Sequence, residues 1–146
     1  MMSNFFSQGT GMKSKATLEI AEVDQILAAA GAHAIAHGWA VSIAVCDDGG
    51  HLLGLRRLDG AAPIAAYICA EKARTSALGR RESRIYEEVI NGGRTSFLSA
   101  PLLQGMLEGG VPIMIDGQCV GAVGVSGVKS EQDAEIARAG IATLAH

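Results

Sequence analysis

One lysine lies within an apolar helical stripe, where its chemistry demands a partner. Burying an unpaired ammonium costs several kcal/mol, so Lys72 needs either an anionic ligand in a pocket or an internal ion pair. Asp59 and Asp47 are the predicted internal partners, and both alternatives stay open at this point. Thr75 is the polar neighbour of Lys72 on the same face. The rest of the stripe, at helical spacing, is Ala65, Ile68 and Gly79.

A pair of arginines precedes that helix. Arg56 and Arg57 end a predicted strand, and Asp59 follows them in the connecting loop. Strand alternation sends the two guanidinium groups to opposite faces, so only one points inward. Ligand groups often meet a fold at such a loop, although an Arg–Asp pair that braces the loop is the more common outcome.

Two histidines lie at i and i+4 near the end of the first predicted helix. His33 and His37 are close enough to share a metal ion, or for one of them to ligate haem iron. The chain offers no carboxylate at matching local spacing, and histidines are also favoured at a helix C-terminus by the helix dipole. The sequence therefore favours a structural role for these histidines over a metal site.

Two glycine-rich segments, at 109–112 and 121–127, are not phosphate-binding loops. Neither has the lysine spacing of a Walker motif, but backbone N–H groups near Ser126 and Gly127 could hold a carboxylate. The small residues at 121, 122 and 124 let another backbone or a ligand approach closely. No serine and histidine have the spacing of a nucleophilic triad.

Hydrophobic periodicity predicts the elements that position these residues. Helical spacing runs over residues 18–37, 64–78 and 82–90, and β-branched runs bounded by Gly-rich turns predict hairpins over 39–57 and 111–126. A loop with a short strand around Pro101 is expected over 94–110. Ser130 is expected to cap the last helix, with Asp133 completing a capping box and Ile136, Ala137, Gly140, Ile141 and Leu144 buried. This order predicts an α+β domain with an antiparallel sheet.

Composition excludes several classes of protein. Of 146 residues, 49% are hydrophobic and 18% charged, which excludes disorder and fits one domain. No apolar run spans a bilayer, and no secretion signal precedes the domain, so we expect no membrane association and a cytoplasmic location. Eight basic against five acidic residues between positions 56 and 94 are too interleaved for a nucleic-acid surface. Cys46, Cys69 and Cys119 lack metal spacing and predict free thiols.

Several segments together resemble the GlcG/HbpS family. They are residues 42–53, 57–61, 62–67, 71–75, 77–82, 109–113 and 120–127, with Gln132 and Asp133. The resemblance covers a single domain over residues 13–146 and leaves 1–12 as a flexible tail. It is closest to members encoded with glycolate oxidase genes, and it implies a profilin-like fold with a five-stranded antiparallel sheet flanked by helices. It also implies a homo-oligomer, often an octamer, with a crevice between subunits.

The resemblance also implies a site and a choice of functions. The positions carried over as crevice lining are Arg57, Asp59, Lys72, Thr75, Gly110 and Ser126. One hypothesis is a ligand-binding accessory protein for haem, another tetrapyrrole or a small carboxylate, with His33, His37 or His51 as the iron ligand. The alternative is an enzyme acting on a small hydroxy- or oxo-acid, in glycolate or aromatic catabolism, with Lys72 and Asp59 as its catalytic residues.

Overall fold

A computed structural model describes residues 11–144 and shows helices packed on both faces of one sheet. Of the N-terminal tail predicted over residues 1–12, residues 1–10 lie outside this description. The helices are α1 (Ile20–Ala36), α2 (Pro63–Gly79), α3 (Ser83–Asn91) and α4 (Ser130–Ile141). The strands are β1 (Ser42–Asp47), β2 (Leu52–Arg57), β3 (Gly110–Ile115) and β4 (Gln118–Ser126), and a short 3-10 helix covers Thr95–Ser99.

The four strands form an antiparallel sheet in the order β2-β1-β4-β3. This confirms the predicted α+β class and both hairpins. The resemblance implied five strands, whereas residues 11–144 contain four. The strand expected around Pro101 was wrong, because Pro101 has no N–H for a ladder and the segment instead forms the 3-10 helix and an irregular loop.

Alternation along the strands gives the sheet two different faces. Ile43 and Val45 of β1 and Val123 and Val125 of β4 face α1 and α4 and form the larger core cluster. Ala44 and Cys46 of β1 and Ala122 of β4 face α2, where their partners are Cys69, Ala73 and Ala77. Large residues on one face and small ones on the other therefore let α2 pack much closer to the sheet than α1 does.

The closest approach occurs at Gly124 in the middle of β4. A Cβ atom there would overlap the carbonyl oxygen of Cys69 and the backbone nitrogen of Ala73. The sequence predicted that a backbone or a ligand would approach these small residues, and at Gly124 it is the backbone of α2.

Local sequence explains where most helices begin and end. Pro63 occupies the first turn of α2, where its missing N–H costs nothing, and Arg80 ends that helix in a left-handed conformation. The predicted cap of α4 was wrong by one residue, since Lys129 is the N-cap and its N–H donates to Gln132 Oε1. None of the helices in residues 11–144 has the length and apolarity to cross a membrane.

Two glycine substitutions should change stability in opposite directions. We expect Gly124→Ala to lower the free energy of unfolding by about 1–3 kcal/mol, because the new methyl group overlaps the α2 backbone. Gly31→Ala in α1 is its matched control: the nearest side-chain atom would lie 3.7 Å away, and helix propensity favours alanine by up to about 1 kcal/mol. Urea unfolding of both variants tests this, and equal effects would contradict the packing argument.

Candidate functional site

Lys72 forms a buried ion pair that joins the two faces of the sheet. Its Nζ donates to the carbonyl oxygen of Val125 at 2.9 Å and to Asp133 Oδ2 at 3.1 Å. Lys72 and Asp133 are only 3% and 2% exposed. The other carboxylate oxygen of Asp133 accepts the N–H of Val128 at 3.2 Å. The internal partner of Lys72 is thus Asp133 of α4, and the predicted partners, Asp59 and Asp47, were wrong.

Two glycines at the start of β3 make room for this pair. A Cβ atom at Gly109 would lie 2.6 Å from the Val125 carbonyl oxygen and 2.7 Å from Lys72 Nζ, and Gly109 has a φ of +135° that favours glycine. At Gly110 a Cβ atom would overlap the carbonyl oxygen of Lys72, and the Gly110 N–H donates to Ser83 Oγ at 2.8 Å. The missing side chains let Lys72 pass the edge of the sheet.

Burial and the ammonium act in opposite directions on Asp133. Burial raises the pKa of its carboxyl group above the ordinary value, whereas the charge of Lys72 and the N–H of Val128 lower it. Thr75 lies one turn along α2 from Lys72, fully buried, and its hydroxyl has no hydrogen-bond partner among residues 11–144. Ser126 ends β4 opposite Ser42 and is also buried. The roles of Lys72, Thr75, Gly110 and Ser126 in binding a ligand stay predictions.

Arg57 and Asp59 lie in a separate, open cleft of about 560 Å³ beside the end of β2, which we call the arginine cleft. Its apolar walls come from Ile35 and Leu58 and from the ring of Trp39. The cleft is lined by Ile35, Gly38, Trp39, Ala40, Arg56, Arg57, Leu58 and Asp59. The structure therefore brings Asp59 together with Arg57 and leaves Lys72 in the interior, so the two catalytic candidates occupy different places.

The two arginines extend from β2 in different directions, as alternation predicted. Arg56 Nη1 donates to the Leu27 carbonyl oxygen of α1 at 3.4 Å, whereas Arg57 Nη2 donates to the Ala61 carbonyl oxygen before α2 at 2.9 Å. Within residues 11–144 both guanidinium groups donate to backbone carbonyl oxygens. The expected ion pair between an arginine and Asp59 is not among these contacts. Each guanidinium keeps further N–H donors for an anion in the cleft.

The histidines of α1 lie next to this cleft. His37 stacks on Trp39 with ring centroids 4.4 Å apart, and its Nδ1 lies 2.8 Å from the carbonyl oxygen of His33. His33 Nε2 lies 2.7 Å from Glu135 Oε2 of α4. His51 is far more exposed, at 81% of its side chain, and lies in the β1–β2 turn, 3.1 Å from Asp47 Oδ1.

All three cysteines are free and buried, as free thiols were predicted. Burial raises the pKa of Cys46 and of Cys69 to about 12, and it also raises the pKa of Cys119. A nucleophilic cysteine needs a thiolate at neutral pH. These thiols are therefore packing residues of the α2 face.

Sequence reasoning missed several residues of this region for a shared reason. Asp133 was read as a capping residue, because its distance of 61 positions from Lys72 gives no local signal. Glu135 lies 102 positions from His33 and had no recognisable role. Trp39 was assigned to a strand that begins three residues later, at Ser42. The position of α4 brings Asp133 to Lys72 of α2 and Glu135 to His33 of α1, and no local pattern in the sequence gives that position.

Comparisons with known proteins agree on one family. The sequence matches the family described as "Haem degrading protein HbpS-like" over residues 18–142. It is 60% identical to Protein GlcG of Escherichia coli strain K12 over 115 residues, which cover 79% of this chain and 85% of that protein. Among solved structures, HbpS of Streptomyces reticuli, in a double-mutant form, has a TM-score of 0.83 at 29% identity, with coverage of 95% and 94%. A PduOC:heme complex has a TM-score of 0.77 at 26% identity, with coverage of 88% and 96%.

Removing one partner of the buried pair should be costly. We expect Asp133→Ala to lower the free energy of unfolding by about 3–5 kcal/mol, because it leaves the Lys72 ammonium buried and unpaired. The double variant Lys72→Met/Asp133→Leu should be clearly more stable than Asp133→Ala, since it removes both charges. Urea unfolding of the natural chain, Asp133→Ala and the double variant measures the three free energies of unfolding.

An ion pair on the surface provides the control for these variants. Arg84 and Glu88 form an i,i+4 ion pair that is largely exposed, so Glu88→Ala should cost less than about 1 kcal/mol. Equal losses in Asp133→Ala and Glu88→Ala would show that the buried pair is not a structural requirement.

The cysteines should be protected in the native state. We expect Ellman's reagent at pH 8 to label Cys46 and Cys69 only after the chain is unfolded in urea. Their pKa values are higher in the folded than in the unfolded state, so their contribution to stability is present below about pH 9 and lost as the pH rises towards 12. Rapid and complete reaction of Cys46 and Cys69 with the reagent in the folded protein would contradict their burial.

Proposed function

Because the chain belongs to the HbpS-like family, we propose that it is a ligand-binding accessory protein that holds a carboxylate-bearing ligand in the arginine cleft. Haem, or another tetrapyrrole, is the first candidate, and a small carboxylate is the second. The observation that carries this proposal is the cleft itself, whose lining includes Arg56, Arg57 and Trp39.

The residues of the cleft fit a haem group. Haem needs an axial ligand, an apolar surface and cations near its propionates. The cleft offers two guanidinium groups and apolar walls at Ile35, Trp39 and Leu58, and its volume of about 560 Å³ is that of a typical ligand site. His37 does not line the cleft but stacks on Trp39, which does. It is the candidate axial ligand, because its Nδ1 donates to the His33 carbonyl oxygen and its Nε2 is left for iron.

The comparisons support this direction. The PduOC structure of similar fold is a heme complex, and the family description refers to haem degradation. The resemblance to members encoded with glycolate oxidase genes favours a role in glycolate utilisation. We propose a cytoplasmic location, in line with the free thiols.

A homo-oligomer, and an octamer in particular, is part of the proposal. Isolated exposed apolar side chains are ordinary, but Ile35, Ile64 and Tyr67 are 67%, 61% and 75% exposed, and Ile35 lines the open cleft. A second copy packed on these residues would cover apolar surface and close the cleft. The ligand would then lie in a crevice between subunits.

The enzymatic alternative requires Lys72 to act as a base or a Schiff-base amine. Lys72 is 3% exposed, and its ammonium is held by Asp133 and the Val125 carbonyl oxygen. A carbonyl substrate reaches it only if this pair separates. The binding function is therefore the better supported one.

A haemin titration followed through the Soret band tests the proposal. We expect a saturable, shifted band for the natural chain. Arg57→Gln should weaken haemin affinity about tenfold or more, because a charged hydrogen bond to a propionate is lost. His37→Ala should shift the band, since the axial ligand is removed.

Arg84→Gln is the matched control, because Arg84 is a surface arginine paired with Glu88 and lies outside the cleft. It should bind haemin like the natural chain. A weak, unsaturable response that Arg57→Gln and His37→Ala leave unchanged would discard haem. Calorimetry with glycolate, on the natural chain and Arg57→Gln, would then test the small-carboxylate candidate.

A further inference from the structure

Three potential metal ligands from two helices meet at the C-terminal end of α1. Each of His33, His37 and Glu135 offers one ligand atom, and these atoms all lie within 4.8 Å of one another. Two imidazoles and a carboxylate form a donor set that suits Zn²⁺ and the neighbouring divalent transition metals. We propose that this cluster binds one such ion, with solvent completing its coordination. This inference does not rest on the proposed function.

Hydrogen bonding orients both rings for coordination. The His37 Nδ1 lies 2.8 Å from the carbonyl oxygen of His33, so its Nδ1–H donates there and Nε2 presents a lone pair. A backbone acceptor on the second ring nitrogen is the usual device that fixes the tautomer of a metal-bound histidine. His33 Nε2 faces Glu135 Oε2 at 2.7 Å, so a metal ion would replace the proton that this pair shares.

Close packing of the helices holds the ligands in place. A Cβ atom at Gly140 of α4 would lie 3.0 Å from Ile26 and 3.1 Å from Ala30 of α1. This close approach fixes α4 beside α1. Glu135, five residues before Gly140 in α4, then lies beside His33. His33 and Glu135 therefore sit within packed helices and His37 at a helix C-cap, which favours a defined site.

The electrostatics of the position also favour a cation. His33 lies in the last turn of α1 and His37 is its C-cap. The unsatisfied carbonyl groups at a helix C-terminus carry partial negative charge, and Glu135 adds a carboxylate that is half exposed. His33 is less exposed than Glu135, so water can reach the site without surrounding it.

The position of Trp39 gives this site a specific signal. It is the single tryptophan of the chain, and its ring is stacked on His37 at 4.4 Å and lies 6.2 Å from His33. A Cu²⁺ ion in the cluster should therefore quench tryptophan fluorescence. Zn²⁺ has a filled d shell and does not quench, so a large excess of Zn²⁺, needed because Cu²⁺ binds such ligands more tightly, should restore the fluorescence.

The test is a Cu²⁺ titration of the full chain, prepared without a histidine tag and freed of metal by a chelator. We expect saturable quenching at one equivalent of Cu²⁺, reversed by a large excess of Zn²⁺. Glu135→Gln and His33→Ala should each weaken affinity more than tenfold, since each removes a ligand and even outer-shell losses cost about 10- to 100-fold. His51→Ala is the matched control, because His51 also pairs with a carboxylate but has no third ligand among residues 11–144.

A second readout separates loss of the site from loss of the fold. Zn²⁺ should raise the Tm of the natural chain and of His51→Ala but not that of Glu135→Gln. Without metal, Glu135→Gln should melt like the natural chain, because its ion pair with His33 is exposed. Quenching that never saturates, or Glu135→Gln with unchanged Cu²⁺ affinity, would overturn the proposal. Arg57→Gln should leave Cu²⁺ binding intact, so this result and the haemin result can fail independently.

Discussion

The buried ion pair between Lys72 and Asp133 is the constraint on which the rest of the structure depends. A charge taken out of water must find its partner in the interior, and here the partner lies on the helix across the sheet. The aliphatic stem of Lys72 therefore passes the start of β3, which only glycine at 109 and 110 permits. The pair locks α2 to α4 and fixes the end of β4 through the Val125 carbonyl oxygen.

The same constraint explains the small residues of the α2 face. For Lys72 to reach the opposite layer, α2 must lie almost against the sheet, so Gly124 and Ala122 stand where larger residues would hold it away. The larger apolar residues are collected on the other face, under α1 and α4. A chain with few aromatic residues thus builds one ordinary hydrophobic core and one thin alanine and glycine layer, with the ion pair where the two meet.

The sequence predicted those features that depend on interactions between residues close together in the chain. The periodicity of α1, the glycine turns of both hairpins and Pro63 at the start of α2 depend on neighbours in sequence, and these predictions were confirmed. The family resemblance was confirmed as well, because it rests on the order and spacing of many segments. The partners predicted for Lys72 were wrong and the contact of Glu135 with His33 was missed, because both contacts depend on where α4 packs. The segment 94–110, with little periodicity and a proline, was predicted as a loop with a short strand around Pro101, and the strand was wrong.

The end of α1 is the place where this fold leaves polar groups free to bind. The core fixes α1 through Ile26, Ala30 and Ala34, while its last turn, carrying His33 and His37, reaches the surface beside Trp39. On one side of that turn lies Glu135 of α4, and on the other lies the arginine cleft at the end of β2. The cation-favouring ligands and the anion-favouring arginines therefore share Trp39 as a neighbour, since its ring stacks on His37 and it lines the cleft. An imidazole that turns towards one of these neighbours turns away from the other, so occupancy of the cluster would restrict the orientation of His37 towards the cleft.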